Sequence, residues 1–548
     1  MTLAKKQPLL GSVLLDLALL AFSSLLFALS FPSFLSDWGW APLGFVCLIP
    51  LFVVVHRARW AAIPFYGIFF GSVSYAIFNY WLGRFHPLTL VVVPPIYAAW
   101  FLLTLPALKL ADTLFPSYGY LLQTALWVCY EYFIKSQGYL AYAYGIMGYT
   151  QYLFEPFIQI ADATGVWGVS ALVVYPSALL GNAAKDGLAS LRENWRRLLA
   201  PAAAYAALFA AVLAYGAVSP VDTGGARQWK LALVQQNIDP WRGGYPAYRD
   251  SFEILARQSE KAMAEAPDMI AWSETSFVPA IDWHTRYRTD IQIYDLVRRL
   301  REFLEAQPVP YLIGNDDGRL KRRESGEEVR VDYNAAILFE GGRMVDTYRK
   351  LHLVPFTEHF PDAWPVRWMR RILTSMDTHF WEKGEQYTVF EAGGVKFSTP
   401  ICFEDTFGYL CRGFFRRGAD VLVNITNDAW SFSVAGAMQH MSMAVFRAVE
   451  NRRSVVRSTN AGITCMIDPN GRILRVLAPF TEGCLVGSVP VVRGRTTLYT
   501  AWGDWLPWVL LALSGAAIAA GTLLRLTGRG NWSRMRRDEA ERPDTHRR

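Results

Sequence analysis

Charged residues are scarce in this sequence, and several common functional motifs are absent from it. Asp, Glu, Lys and Arg make up only 18% of the 548 residues. The six cysteines include no Cys-x-x-Cys pair, which argues against a zinc ribbon or a dense disulfide framework. No His-Glu-x-x-His, Gly-x-Ser-x-Gly, Walker loop or dinucleotide fingerprint occurs. His352 and His359 are too sparse to indicate a metal site, so we expect no bound metal.

A nucleic-acid-binding surface is not indicated either. The formal net charge is +7, and part of it lies in the basic tail, residues 526–548. A nucleic-acid module requires basic residues interleaved with exposed aromatics over a folded face, and no such stretch is present. We therefore expect no nucleic-acid partner.

Long apolar runs dominate the first 220 residues. Windows of membrane-spanning length occur at about 9–30, 40–56, 61–82, 89–112, 118–134, 163–183 and 198–218, and again at 503–525. The second is short and contains Pro50. The first has an alternative interpretation as a signal peptide, since Lys5 and Lys6 precede it, although its apolar run exceeds the usual length.

Loop charges predict the orientation of these segments. If the eight segments cross the membrane in alternating directions, most basic loop residues lie on one side, and the positive-inside rule assigns that side to the cytoplasm. These residues are Lys5, Lys6, Arg57, Arg59, Lys109, Lys185, Arg192, Arg196 and Arg197. Only Arg84 and Lys135 fall on the other side. We expect both termini in the cytoplasm and residues 227–492 outside. The alternatives are a buried helical core and a transporter, and the latter is disfavoured because few charges lie within the spans.

The middle of the chain alternates strand and helix patterns, which indicates an α/β domain. Helices are predicted at 251–266, 287–306, 407–417 and 436–452. Strands are predicted at 230–235, 269–272, 310–314, 333–339, 394–398, 421–424, 454–459, 462–468 and 472–477. Asn470-Gly471 between the last two is a typical hairpin turn.

Three short stretches of this domain carry candidate catalytic residues near predicted strand ends. They are AWSETS (271–276) with Glu274, YRKLHLVPFTE (348–358) with Lys350, and FSTPICFED (397–405) with Cys402. A thiol is a nucleophile only as thiolate, so it needs a base or a cation nearby. Glu274 is a candidate base and Lys350 a candidate for stabilising an oxyanion.

Each of these residues also has an ordinary structural interpretation. A free cysteine is most often a buried core residue, and glutamates and lysines are usually solvated charges. Cys411, Cys465 and Cys484 lack such a context, so we interpret them as core residues or as containing one disulfide pair.

Together the three stretches resemble the Glu–Lys–Cys set of the nitrilase superfamily. The flanking apolar segments narrow the resemblance to the bacterial apolipoprotein N-acyltransferases, over nearly the whole chain. The resemblance implies a bundle of about eight transmembrane helices plus a nitrilase-like four-layer α-β-β-α sandwich. The expected division is 1–220 for spans one to seven, 227–492 for the catalytic domain, 503–525 for span eight and 526–548 for the tail.

The resemblance also implies supporting or substrate-binding positions: Glu358, Glu404, Asn334, Arg367 and Trp241. Glu358 is expected to orient the lysine and the base. Glu404 lies two residues after the cysteine, where its charge would raise the pKa of the thiol. The sequence departs from the family pattern at Phe403, where many members have tyrosine.

The reaction implied is a ping-pong acyl transfer at the bacterial inner membrane. Cys402 would take the sn-1 acyl chain of a phospholipid, typically phosphatidylethanolamine, and pass it to the α-amino group of a diacylglyceryl-cysteine. No cofactor is needed, and a monomer is expected. The aromatic loop 135–162, with Phe356, Phe360 and Trp364, is a candidate apolar floor for acyl chains; ordinary loop packing is the alternative. A membrane-anchored amidase or nitrilase with the same three residues is the main rival function.

Overall fold

The computed structural model of the protein describes residues 9–85, 89–138, 140–185, 187, 189, 192, 195–239, 241, 243–322, 326–355, 357–359 and 380–527. Within this part the chain forms a helical bundle, an α/β domain and a final long helix. The bundle extends to Val218, the first strand of the α/β domain begins at Arg227, and the final helix is Trp505–Leu526.

Six helices of the described chain are long and apolar enough to cross a membrane: Leu10–Ser30, Trp60–Phe78, Thr89–Leu114, Val166–Ala183, Trp195–Val218 and Trp505–Leu526. They correspond to six of the eight predicted spans. The other two windows form shorter helices. Ile49–Arg57 follows a 3₁₀ turn, Ala41–Phe45, and has Pro50 in its first turn, where the missing N–H costs no hydrogen bond. Gly119–Cys129 continues into a π-helical segment, Tyr130–Lys135.

Small residues allow the apolar helices to pack closely. Ile63–Phe78 packs along Thr89–Leu114. A Cβ atom at Gly67 would lie 2.7 Å from the carbonyl oxygen of Phe101, and one at Gly71 would lie 2.8 Å from that of Tyr97. Membrane helices associate through such close approach of backbones. Larger residues at these two positions would push the helices apart.

The α/β domain contains twelve strands in the described residues. They are β1 Arg227–Gln235, β2 Met269–Trp272, β3 Tyr311–Arg322, β4 Glu328–Glu340, β5 Arg343–Arg349, β6 Phe390–Ala392, β7 Val395–Ser398, β8 Val421–Thr426, β9 Val455–Thr459, β10 Cys465–Ile467, β11 Ile473–Val476 and β12 Gly483–Val491. Its helices are Tyr245–Met263, Ile281–Tyr287, Ile291–Glu305, Gly408–Arg416, Val434–Asn451 and Leu498–Trp502.

The strands form two six-stranded sheets, ordered β12-β1-β2-β3-β4-β5 and β11-β10-β9-β8-β7-β6. The central strands β1, β2 and β3 are parallel, as are β7, β8 and β9, and the outer pairings are antiparallel. Asn470 and Gly471 form the predicted hairpin between β10 and β11, with Gly471 at φ +85°.

Alternation along the strands produces four layers. Leu231 and Leu233 of β1 belong to the core between the sheets, whereas Ala232 and Val234 pack with the helices Tyr245–Met263 and Ile291–Glu305. The sheets face each other directly, since the rings of Trp229 and Phe397 lie 5.4 Å apart. Helices Gly408–Arg416 and Val434–Asn451 complete the fourth layer. The predicted α-β-β-α sandwich is therefore confirmed.

Three strands and several helix boundaries differ from the prediction. β5, β6 and β12 were not predicted. An unpredicted helix, Ile281–Tyr287, ends where Arg288 adopts a left-handed conformation (φ +46°), and the helix predicted at 287–306 begins only at Ile291. Asp290 caps this second helix by accepting a hydrogen bond from the N–H of Ile293, 3.0 Å away.

Helix Val434–Asn451 joins the domain to the bundle and is buried along nearly its whole length. Trp81 of the bundle donates its indole N–H to Gln439 at 3.0 Å. Just after the helix, the guanidinium of Arg452 pairs with Asp162 at 2.7 Å, with both side chains buried. These contacts fix the cysteine-bearing sheet against the bundle.

Candidate active site

The three candidate residues lie where strands of both sheets end. Glu274 follows β2, Lys350 follows β5 directly, and Cys402 follows β7 after a short turn. The backbone N–H of Lys350 donates to the carbonyl of Asn334 on β4 at 2.9 Å, which continues the ladder by one residue. Three positions separated by 76 and 52 residues are thereby brought together.

Lys350 lies between two carboxylates. Its Nζ is 3.1 Å from Glu274 Oε1 and 2.7 Å from Glu358 Oε1, and the lysine is fully buried. Asn334 donates its amide to Glu274 Oε1 at 2.8 Å and to Glu358 Oε1 at 3.5 Å. The structure thus brings Asn334 into contact with the candidate base and Glu358 into contact with the candidate lysine, and both positions were expected to support the site.

Backbone N–H groups hold the other oxygen of each carboxylate. Asn427 donates to Glu274 Oε2 at 2.9 Å, and Val354 donates to Glu358 Oε2 at 2.8 Å. Both oxygens of each carboxylate therefore accept hydrogen bonds, and these hold the side chain in one orientation. A base held in this way needs no reorganisation when it accepts a proton.

Cys402 begins a 3₁₀ turn, Cys402–Thr406, in a left-handed conformation with φ +54°. A non-glycine residue in this region of φ is uncommon and is held by its surroundings. The side-chain amide of Asn424 supplies part of that constraint, since it donates to the carbonyls of Pro400 at 3.1 Å and Cys402 at 2.9 Å. The turn fixes the thiol at the rim of the second sheet.

The electrostatics favour a protonated thiol at rest. Burial raises the pKa of Cys402 well above its usual value, Glu274 raises it further, and Lys350 only partly offsets this; Asp428 and Glu358 also raise it. Burial opposes the charge on Lys350, but Glu274 and Glu358 outweigh it and raise the pKa of the ammonium. Burial also raises the pKa of Glu358, and the Lys350 ammonium opposes this. Because the thiol is protonated at rest, its proton must leave as the sulfur attacks, and Glu274 is the candidate acceptor.

The buried carboxylate of Glu404 accepts hydrogen bonds from two segments of the site. Its carboxylate accepts hydrogen bonds from the hydroxyl of Tyr348 at 2.9 Å and from the backbone N–H groups of Leu351, His352 and Ile401 at 2.7–2.8 Å. Burial raises its pKa to about 7 despite these donors. The carboxylate thus ties the Lys350 strand end to the turn that carries the cysteine.

Trp241 and Phe403 lie close to the three candidate residues, whereas the structure does not describe Arg367. Trp241 donates its indole N–H to Thr275 at 3.3 Å and packs edge-on against Trp381, with ring centroids 6.0 Å apart, so it lies one residue from Glu274. The ammonium of Lys350 lies 5.6 Å from the ring centroid of Phe403. Arg367 lies outside the described residues.

A buried polar cluster beside the cysteine was not predicted. The name His440 network is used for Asp405, Asp428, His440 and Arg457. The imidazole contacts Asp405 at 2.9 Å and Asp428 at 3.0 Å, and Arg457 pairs with both carboxylates. Asp428 follows Asn427, whose N–H holds Glu274, so the network supports the loop that positions the base. Of its four members, only Asp405 lies in one of the three stretches singled out in the sequence.

The other cysteines and the aromatic loop are packing features. All six cysteines of the chain fall within the described ranges and are free, with Cys411 and Cys465 buried and Cys484 half-buried. Tyr144 and Tyr149 of the loop 135–162 are buried, with their rings against His440 and Phe446. Ordinary packing therefore accounts for these loop residues. Phe356, Phe360 and Trp364, expected to complete an apolar floor, lie outside the described residues.

A two-sheet α/β sandwich with this site joined to apolar helices defines a nitrilase-like domain carried by a membrane bundle. The family model described as carbon-nitrogen hydrolase matches residues 230–499, and the model of the apolipoprotein N-acyltransferase N-terminal domain matches residues 23–179. The chain is 41% identical to apolipoprotein N-acyltransferase 1 of Treponema denticola, over 90% of this chain and 93% of the relative. It is 42% identical to apolipoprotein N-acyltransferase 1 of Treponema pallidum, over 92% of this chain and 96% of the relative. The chain belongs to the apolipoprotein N-acyltransferase family.

Solved structures also match the chain. An amidase from Nesterenkonia sp. is 18% identical, covers 52% of this chain and 95% of its own, and has a TM-score of 0.35. A nitrilase-superfamily member from Saccharomyces cerevisiae is 20% identical, over 50% and 93% of the two chains, also at a TM-score of 0.35.

Proposed function

We propose that this protein transfers an acyl chain from a membrane phospholipid to Cys402 and then to the α-amino group of the N-terminal diacylglyceryl-cysteine of a lipoprotein. We assign this transfer to the last step of lipoprotein maturation. The relatives are named apolipoprotein N-acyltransferases, which supports N-acylation of a lipoprotein. The observation that carries the proposal is the buried Lys350 ammonium, 3.1 Å from Glu274 and 2.7 Å from Glu358, beside Cys402. Catalysis rests on Glu274, Lys350 and Cys402, with no cofactor.

In the first half-reaction the Cys402 sulfur attacks the carbonyl carbon of the sn-1 ester while the thiol proton passes to Glu274. The Lys350 ammonium stabilises the oxyanion of the tetrahedral intermediate. The ester C–O bond then breaks, and Glu274 returns the proton to the leaving glycerol oxygen. The products are a thioester on Cys402 and a lysophospholipid.

In the second half-reaction the lipoprotein amine attacks the thioester carbonyl, and Glu274 takes a proton from the attacking nitrogen. The C–S bond breaks, the amide remains on the lipoprotein, and the proton returns to the Cys402 sulfur. Because Cys402 and Lys350 are both buried, water has little access to the thioester, which favours aminolysis over hydrolysis. Phosphatidylethanolamine, implied by the resemblance, is the reference donor.

The proposed topology follows from the loop charges. Residues 1–220 and 503–525 lie in the bacterial inner membrane, residues 227–492 form the periplasmic catalytic domain, and both termini, including the tail 526–548, are cytoplasmic. We propose a monomer that takes phospholipid and diacylated lipoprotein as partners and binds no nucleic acid. Alkaline phosphatase fused after Val218 should be active, whereas a fusion after Leu526 should be inactive. The reverse pattern would reject this orientation.

A fluorescent phospholipid tests the reaction directly. Purified protein should acquire a hydroxylamine-sensitive fatty acyl adduct at Cys402, which mass spectrometry locates, and a diacylated lipopeptide should then remove it as an amide. Cys402→Ala should abolish both steps, while Cys411→Ala serves as the matched control and should retain them. N-acylation by the Cys402→Ala variant would refute the assignment. Release of the acyl chain only as free fatty acid would instead identify a hydrolase.

A further inference from the structure

A buried carboxylate outside the proposed catalytic set adjoins the candidate active site. Asp316 lies on β3 directly opposite Asn334 of β4. Directly opposed residues of an antiparallel pair have Cβ atoms about 4.5–5.5 Å apart and side chains on the same face of the sheet. Alternate residues of a strand share a face, and Leu312 of β3 and Ala336 of β4 belong to the core between the two sheets. Asp316 therefore points towards the sheet whose strand β7 leads to Cys402.

A pair of indole rings connects this carboxylate to the loop of the candidate base. Trp381 donates its indole N–H to Asp316 Oδ1 at 3.0 Å and packs edge-on against Trp241. Trp241 in turn donates to Thr275, the residue after Glu274. Asp316 is only 5% exposed, so its carboxylate is oriented by Trp381 and shielded from bulk water. Aromatic rings beside a buried carboxylate are a favourable environment for an organic ammonium ion.

The side chain opposite Asp316 has an unused hydrogen-bond acceptor. Asn334 is buried, and its Oδ1 accepts no hydrogen bond from any residue that the structure describes. The Nδ2 of Asn334 donates to Glu274 and Glu358, so Oδ1 points away from these two carboxylates. Buried side-chain acceptors are rarely left without a donor, and the exceptions occur where a functional group or an ion acts. Asp316 and Asn334 thus present acceptors on one face of the sheet that a ligand with several N–H donors can satisfy.

The charges around Asp316 favour a bound cation. Burial raises the pKa of Asp316 to about 8, and the carboxylates of Asp332 and Glu274 contribute to this rise. The N–H of Trp381 and the guanidinium of Arg330 oppose the rise, but Arg330 is already paired with Asp332 at 2.7 Å. An ammonium ion beside Asp316 would stabilise its ionised form. Because an α-amino group ordinarily titrates at about 7.7–8.0, a proton can pass from it to Asp316 at little cost.

We propose that Asp316 and the amide oxygen of Asn334 bind the primary ammonium of the acceptor, the N-terminal α-amino group of the diacylated lipoprotein, beside the Cys402 thioester. This inference rests on the proposed function, because it concerns the second substrate of that reaction.

The bound ammonium loses two protons to different groups. Ionised Asp316 takes the first proton, which leaves a lone pair on the nitrogen. The nitrogen then attacks the thioester carbonyl, and its second proton passes to Glu274 and on to the Cys402 sulfur as the C–S bond breaks. Asp316 releases its proton to water once the amide product has left.

Transfer from a preformed Cys402 thioester tests the inference. The full chain is loaded with a fluorescent acyl chain from phosphatidylethanolamine, and loss of the thioester is followed against the concentration of a diacylated lipopeptide with a free α-amino group. Asp316→Asn keeps the size of the side chain and removes its charge. It should lower kcat/KM for the lipopeptide about tenfold or more, chiefly by raising KM, because a hydrogen bond between charged groups contributes about that factor to binding.

Two controls make the result specific. Hydroxylamine is uncharged near neutral pH, so its cleavage of the thioester should depend on Asp316 much less than transfer to the lipopeptide does. Asp346→Asn removes a carboxylate from an exposed position of β5 and should retain the wild-type kcat/KM. If Asp316→Asn unfolds, Trp381→Phe carries the same test, because it removes the N–H that orients Asp316 and keeps an aromatic ring. Trp381→Phe should lower kcat/KM for the lipopeptide by a smaller factor.

The outcomes separate this inference from the proposed function. An unchanged kcat/KM for the lipopeptide in folded Asp316→Asn, or an equal loss with hydroxylamine and with the lipopeptide, would overturn the binding of the acceptor ammonium. Slower loading of Asp316→Asn by phosphatidylethanolamine but not by phosphatidylglycerol, with unchanged transfer to the lipopeptide, would show that the site binds the ammonium of the donor headgroup and would also overturn the inference. A wild type that forms no thioester would instead refute the proposed function.

Discussion

Replacing Glu358 by glutamine should reduce acyl transfer about 100-fold while the protein remains folded. The substitution keeps the side-chain size but removes one of the two negative charges that hold Lys350, from a contact of 2.7 Å between buried groups. Loss of one group that stabilises an oxyanion typically costs about 10²–10³ in rate, or roughly 2.7–4 kcal/mol in the barrier. We take the lower end, about two orders of magnitude, because Glu274 still pairs with the ammonium.

The rate should fall because Lys350 then interacts with Glu274 alone. With one carboxylate partner in place of two, the ammonium is less precisely positioned to stabilise the oxyanion. The assay is the rate of Cys402 thioester formation from phospholipid, measured together with the thermal unfolding midpoint. Glu340→Gln, at an exposed position on β4, is the control for removal of one charge from the domain.

Two results would refute this reasoning. A Glu358→Gln variant with the wild-type rate of thioester formation would show that Glu358 does not position the lysine. A variant that loses activity only in proportion to its loss of folded protein would show that the ion pair serves stability alone.

Three other perturbations test the framework around the site. Burial opposes the charge on His440, but the carboxylates of the His440 network outweigh burial and raise the pKa of His440 to about 9. Protonated His440 therefore stabilises the folded protein fully below about pH 6.5, and this stabilisation is lost as the pH rises to 9. The free energy of unfolding should fall by about 3 kcal/mol over that interval, and His440→Gln should flatten this dependence in denaturant titrations. Glu404→Ala leaves a hydroxyl and three backbone N–H groups without an acceptor. The free energy of unfolding should therefore fall by about 3 kcal/mol or more, which appears as a lower unfolding midpoint. An unchanged midpoint would show that water replaces the carboxylate. Arg452→Met leaves Asp162 buried and unpaired, and limited proteolysis should show faster cleavage between bundle and domain than in Arg493→Met, where the arginine is exposed.

The candidate residues were predictable because each occupies a short local pattern. Glu274 and Cys402 each follow a short stretch that predicts a strand, and a residue just past a strand end is available to a substrate. The strand before Lys350 was not predicted, so Lys350 was identified through the stretch 348–358, which resembles the family motif. Glu358 was expected because the run that contains it resembles the family motif. The His440 network was not, since His440 lies on a helix that is buried on every side, so no polar–apolar alternation distinguishes it. Its two carboxylate partners lie 35 and 12 residues away in the chain.

Elements at the sheet margins were predicted least well. β5 alternates poorly because it is an edge strand with mostly exposed side chains, and β12 enters the sheet only through pairing with the distant β1. The number of spans was also uncertain from composition. An apolar window reports only hydropathy and not where an α-helix begins or ends. The window 40–56 contains a 3₁₀ turn and the window 118–134 contains a π-helical segment, so the α-helices there are shorter than the windows.

By itself the sequence determined the membrane character of the flanking segments, the α/β class of the middle and the identity of the three candidate residues. These are local properties, set by the hydropathy of a window and by the residue types within a few positions. Only the tertiary structure decided that Lys350 is shared by two carboxylates and that Glu404 connects the Lys350 strand end to the turn that carries Cys402. Such contacts join residues far apart in the chain, and they depend on how two sheets and a bundle pack against one another.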